Sequence, residues 1–126
     1  MANSVPSGTN NGDLETILAN GNLVGLCNNT KWNELISEVR SWIEWKPSYR
    51  TKCINGYVSE WDVEWFYHLP FPFKYTLWFE ISSKSSDGED HSERIKGLLY
   101  KIGFEFTHSD TIYRVHGYSP LDTTEP

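Results

Sequence analysis

The stretch Tyr75-Thr76-Leu77-Trp78-Phe79-Glu80-Ile81 decides the fold. Alternation along a strand sends Tyr75, Leu77, Phe79 and Ile81 to one face and Thr76, Trp78 and Glu80 to the other. The first set reads as core, so this is a strand with one face to bury. Moving towards the N-terminus, Leu69-Pro70-Phe71-Pro72 interrupts the pattern, because two prolines exclude a central strand. Before it, Val63 to His68 reads as a further strand, with Val63, Trp65 and Tyr67 on one side and Glu64, Phe66 and His68 on the other. Tyr49 to Ile54 alternates as well. Asn55-Gly56 is a two-residue hairpin signal, returning through Tyr57-Val58-Ser59.

Helices flank these strands. Trp32, Leu35, Ile36, Val39 and Ile43 recur at the spacing of an amphipathic helix. Asn29 or Thr30 is placed to cap its start, and Pro47 ends it by pushing Lys46 out of helical geometry. A shorter helix is expected over Asp13 to Ala19, with Leu14, Ile17 and Leu18 on one face. Asn20-Gly21-Asn22 breaks it, and Leu23, Val24 and Leu26 pack down. Beyond the polar loop Ser82 to Glu89, Ile95, Leu98, Leu99 and Ile102 form a second strong helical stripe. Acids lie near its start, Lys96 and Lys101 near its end, and Gly103 at its stop. Phe104 to Thr107 and Thr111 to His116 then read as a hairpin around His108-Ser109-Asp110. The expectation is α+β: an antiparallel sheet of about five strands with two main helices packed on one face. Residues 13–118 form the single domain, with 1–12 disordered and 119–126 a loose tail.

Composition narrows the function classes. The chain has 126 residues and a net charge of −6, enough for one domain with its own core. Glu60, Asp62, Glu64, Glu80, Asp87, Glu89, Asp90 and Glu93 face only Lys74 and Lys84 between positions 60 and 93, so this window holds the whole net charge. Such a field attracts cationic partners and repels phosphates, which argues against nucleic acid as a ligand. Acidic loops also keep a Trp-rich protein soluble, the plainer reading of the same cluster. No apolar run reaches membrane-spanning length and the N-terminus lacks a signal-peptide pattern. Cys27 and Cys53 fit no zinc or thiol-redox spacing. A cytoplasmic, reducing setting with both thiols free is the default, although the spacing leaves a disulfide between them open.

Ten of the nineteen aromatic residues lie between Tyr57 and Phe79, a stretch that overlaps the acidic window. Trp61, Trp65 and Trp78 each neighbour an acid, which suits a polar-rimmed interface. A helix over that face would bury them equally well. Catalytic patterns are sparse. There is no phosphate-cradling glycine loop, His-Glu-x-x-His or nucleophile elbow, and no spacing argues for a metal or cofactor. His68 shares a strand face with Glu64, and Glu80 could join them if its strand were adjacent. His91 and His108 read as surface residues, and His116 as the exposed face of the last strand.

Asn28-Asn29-Thr30-Lys31-Trp32-Asn33-Glu34-Leu35, Tyr49-Arg50-Thr51-Lys52, Gly56-Tyr57-Val58-Ser59-Glu60-Trp61-Asp62, Glu64-Trp65-Phe66-Tyr67-His68, Trp78-Phe79-Glu80-Ile81 and Gly117-Tyr118 carry a resemblance. Over residues 28–118 the chain resembles a small bacterial family of unknown function. Such small acidic proteins are similar to the immunity proteins encoded beside secreted or contact-delivered toxins. The resemblance implies a cytoplasmic inhibitor that occludes a cognate toxin, and it carries no catalytic residue over. A basic nuclease toxin suits the charge, since an acidic inhibitor can mimic a phosphate backbone. The expected contact surface is Glu60, Trp61, Asp62, Glu64, Trp65 and Trp78, with Asp87, Glu89 and Asp90 steering the encounter. A small-molecule-binding or enzymatic domain using Glu64 and His68 is the alternative, and a homodimer that hides its rings is a third.

Overall fold

Register around the central strand sets the architecture. The computed structural model describes residues 11–69 and 72–125. In chain order it has α1 (Asn11–Gly21), β1 (Val24–Gly25), α2 (Asn29–Ser41), β2 (Tyr49–Cys53), a 3-10 turn (Phe73–Tyr75), β3 (Thr76–Ser82), α3 (Ser92–Ile102), β4 (Phe106–Ser109), β5 (Ile112–His116) and β6 (Tyr118–Ser119). The main sheet is antiparallel, in the order β2-β3-β5-β4, and β1 pairs with β6 in a separate two-stranded ribbon. The fold is therefore α+β, with four strands and a ribbon in place of a single sheet of about five.

The pairings Tyr49↔Ile81, Thr51↔Phe79, Phe79↔Val115 and Ile81↔Tyr113 put these side chains on one face of the sheet. Trp32, Leu35, Ile36 and Val39 of α2 and Ile95 and Leu99 of α3 close over that face as one core. Each such side chain contributes roughly 1.5–3 kcal/mol by leaving water. Tyr75 and Leu77, expected in the same row, belong instead to a second cluster with Leu14, Ile54 and Tyr118, beneath α1. A register irregularity between Lys52 and Cys53 separates the two rows.

Helix boundaries follow local chemistry. Asn28, one residue earlier than expected, caps α2 by accepting from the Lys31 amide at 2.9 Å. The helix stops at Ser41, well before Pro47, because extended Trp42 turns its ring into the core and leaves Ile43 94% exposed. Ile43 is thus not part of the stripe. Gly103 ends α3 in a left-handed conformation, φ 91°. Gly117 is required for packing: a Cβ there would lie 2.3 Å from the Thr76 carbonyl oxygen.

Two expected strands are absent as such. After the turn at Gly56 (φ 95°), the chain runs beside β2 through isolated bridges Lys52↔Val58 and Tyr49↔Asp62. Residues 63 and 64 are irregular, 65–67 form a turn and 68 a bend, so the expected strand alternation between two faces does not hold. Of the stretch expected to be disordered, 1–10 lies outside the described residues, and Asn11 and Gly12 begin α1. The tail expected to be loose, 119–126, is held at several points: Ser119 pairs with Val24 of β1, and Asp122 and Thr124 bond to the sheet.

Candidate functional site

One ring anchors the 57–68 loop and its neighbours project from it. Trp65 is 0% exposed, donates its indole N–H to the Pro47 carbonyl at 2.8 Å, and packs edge-on against Tyr49 at 4.9 Å. Arg40 of α2 donates to the Trp65 carbonyl at 2.8 Å and lies over the Phe66 ring. The Tyr49 hydroxyl donates to the Glu64 carbonyl at 2.7 Å, and the backbones of Tyr49 and Asp62 exchange hydrogen bonds. With its backbone so fixed, the loop presents Tyr57, Trp61, Val63, Phe66 and Tyr67 to solvent. These are five of the nine exposed large hydrophobic residues among those described.

Acids rim these rings. Glu60 is exposed, while Asp62 and Glu64 are half-buried. Glu64 accepts from the Phe66 amide, and Asp62 Oδ1 accepts from the Glu64 amide at 2.8 Å. Asp62 Oδ2 meets His68 Nδ1 at 2.7 Å. Partial burial opposes ionisation of Asp62, but the Glu64 amide and the His68 ring outweigh it and hold the carboxyl below its usual range. The His–carboxylate pair is thus His68 with Asp62 rather than Glu64, on an open loop. Glu80 takes no part in it.

The second acidic segment lies at the same end of the sheet, where Ser82 donates to the Ser48 carbonyl and Asp62 pairs with Tyr49. Asp87, Glu89 and Asp90 are exposed. Ser85 bonds the Asp87 carboxylate, and Asp90 accepts from the Ser92 amide at the start of α3. These contacts keep both carboxyls below their usual range. The segment presents its carboxylates on a shaped turn. His91 stacks on Trp45 at 3.9 Å beside it.

Of the expected contact residues, Trp61, Glu60, Asp62 and Glu64 gather on one loop. Trp65 and Trp78 are 0% exposed and cannot be contact residues in this conformation. Trp65 is drawn into the core by its size and by the Pro47 carbonyl. Trp78 lies on the far face of the sheet, with the Arg114 guanidinium 4.3 Å from its ring and its indole N–H reaching Asp122 at 3.3 Å. On that face Glu80, 4% exposed, bridges Arg50 at 2.7 Å and Arg114 at 2.9 Å. His116, expected to be exposed, is fully buried there, with Nε2 against the Thr107 hydroxyl at 2.9 Å. Burial first, and then the Arg114 charge, push its pKa down.

Sequence reasoning missed the exposure of Phe66 and Tyr67 and the clamp that Arg40 makes beneath them. Their signal, adjacent rings after a Trp, is the same in a strand as in a turn. Cys27 and Cys53 are free thiols that burial pushes up to about 11, so both stay protonated at neutral pH. Among the described residues no group of three or more His, Cys, Asp or Glu could hold a metal ion, and no helix is long and apolar enough to cross a membrane.

A fixed loop of exposed rings beside acidic residues is the candidate site of this α+β domain. The chain belongs to the family of unknown function DUF6678, whose model matches residues 14–122. No curated protein and no solved structure matches it.

Proposed function

We propose that this chain is a protein-binding inhibitor: an immunity protein that neutralises a cognate bacterial toxin by occlusion, with the 57–68 loop as its contact surface. One observation carries the reading. Trp65 and Arg40 hold the loop in place while Tyr57, Trp61, Val63, Phe66 and Tyr67 stand in water. Aromatic rings presented on a rigid backbone bind at low entropic cost, and such rings dominate the energy of protein interfaces. The acids Glu60, Asp62 and Glu64, with Asp87, Glu89 and Asp90 at the same end, favour a cationic partner such as a basic nuclease cleft. The resemblance to immunity proteins points the same way, and a cytoplasmic location accords with a toxin that acts there.

The test is light scattering after size-exclusion chromatography, with the chain mixed with an inactive variant of the toxin encoded beside it. A stable one-to-one complex is the expected result. Tyr67→Ala, at a position 64% exposed, leaves stability within about 0.5 kcal/mol and weakens binding by about 2–4 kcal/mol. Equal affinity for the native chain and the Tyr67→Ala variant in calorimetry would remove the loop from the interface. Absence of any complex would remove the inhibitor reading.

A further inference from the structure

The far face of the sheet carries a cationic surface in an acidic protein. Register places Arg50 and Lys52 of β2, Trp78 and Glu80 of β3 and Arg114 of β5 on that face. Glu80 answers two of the cations, Arg50 and Arg114. The rest of the charge is met by an extended acidic segment of the same chain, 121–125. Asp122 Oδ2 accepts from Lys52 Nζ at 2.8 Å and from the Trp78 indole N–H at 3.3 Å. Arg114 Nη1 donates to the carbonyls of Asp122 at 2.7 Å and Thr124 at 3.0 Å. Thr124 also folds back on Asp122 Oδ1 through its amide and hydroxyl. Beside the segment lies a cleft of about 280 Å³ lined by Arg50, Glu80 and Arg114 of the sheet together with Ile112, Thr123 and Glu125.

These contacts amount to a recognition code. A carboxylate is read by an ammonium and an indole N–H, and two main-chain carbonyls are read by one guanidinium two residues apart. Main-chain contacts of this kind accept any extended segment, while the Lys52–Trp78 corner selects for an acid. A tethered segment competes at an effective concentration in the millimolar range, so it masks such a surface without any covalent link.

We propose that this face is a second binding surface, for acidic extended peptides, and that residues 121–125 occupy it as an internal ligand. A partner peptide with an Asp at the Lys52–Trp78 corner would displace them. Trp78, sealed in the present arrangement, would then be part of a contact surface, though not the one that faces the toxin.

The test uses full-length chain and a synthetic peptide, Ser-Pro-Leu-Asp-Thr-Thr-Glu, blocked at both ends. In the Asp122→Ala variant the internal ligand is weakened, so this chain binds the peptide about tenfold or more tightly than the native chain does. The same peptide with Asn for Asp loses that gain, and Lys52→Met removes it. NMR of the native chain at millimolar peptide supplies a readout that needs no variant. The Trp78 indole N–H moves and the amides of Leu121 to Glu125 shift to random-coil positions. An unmoved Trp78 signal in the native chain overturns the proposal, as does equal peptide affinity for the folded Asp122→Ala and native chains. A dimer of the variant in light scattering assigns the face to a second copy and overturns it too.

Discussion

Replacing Trp65 separates packing from presentation. Its ring is 0% exposed, edge-on to Tyr49 and 5.6 Å from Phe79, at the junction of the loop and the core. Trp65→Ala removes the ring and leaves a cavity, a change that costs about 3–5 kcal/mol. Trp65→Phe keeps a ring in the same place but strips the donor from the buried Pro47 carbonyl, costing about 1–3 kcal/mol. The gap between the variants is therefore about 2 kcal/mol and belongs to packing. Urea unfolding followed by circular dichroism measures both, with an unchanged slope as the check that the unfolded state is unaltered. Equal costs for Phe and Ala would mean that the hydrogen bond, not the ring, anchors the loop. A loss under about 1 kcal/mol for Ala would refute the anchoring role altogether. On the proposed inhibitor function, Trp65→Ala is expected to weaken the complex far more than Glu125→Ala through loss of presentation, since the ring itself is buried.

Two further perturbations probe the far face. Glu80→Gln leaves the Arg50 and Arg114 guanidiniums without their anion, at sites 24% and 11% exposed, and destabilises by about 3–5 kcal/mol in the same urea assay; a loss under about 1 kcal/mol would show the bridge to be solvent-screened. His116 titrates below its ordinary value of 6.5 in the fold, so below that pH the unfolded chain takes up a proton that the native chain refuses. Stability therefore falls as pH drops through about 6.5, and His116→Gln flattens that part of the profile. Parallel profiles for native and variant chains between about pH 7.5 and 5.5 would disprove this origin.

Periodic elements were legible in the sequence because their burial is one-sided. Ile95, Leu98, Leu99 and Ile102 marked α3, and Gly103 marked its end. The hairpin of β4 and β5 was visible from its turn residues, with β4 two residues later than expected, β5 starting one later, and Asp110 in the turn at φ 54°. The 63–68 segment misled because alternating aromatics fit a strand and a turn equally; the Pro47 carbonyl and the Tyr49 and Phe79 rings that hold Trp65 inside are distant in sequence. Ile43 misled because helical spacing continues on paper past Trp42, whose ring takes the buried place. The pairing of Glu80 with Arg50 and Arg114 depends on strand order, which local periodicity does not encode. The role of Asp122 is hidden for the same reason, since a short polar segment gives no local sign of what it docks against.

The β1–β6 ribbon has a kinetic consequence. Val24 pairs with Ser119, and the Leu26 amide donates to the Gly117 carbonyl at 2.9 Å, so the ribbon joins the two extremes of the domain's sequence. Closing so long a loop costs entropy that the helices and the β4–β5 hairpin do not face. The ribbon and α1 rest on their own small apolar cluster, apart from the main core. Together they form a clasp that fastens after the body has folded and can open while the body stays closed. Native-state hydrogen exchange would register this directly, with Leu26 exchanging at lower opening energy than Phe79 or Val115; uniform protection would make the clasp and the body a single cooperative unit.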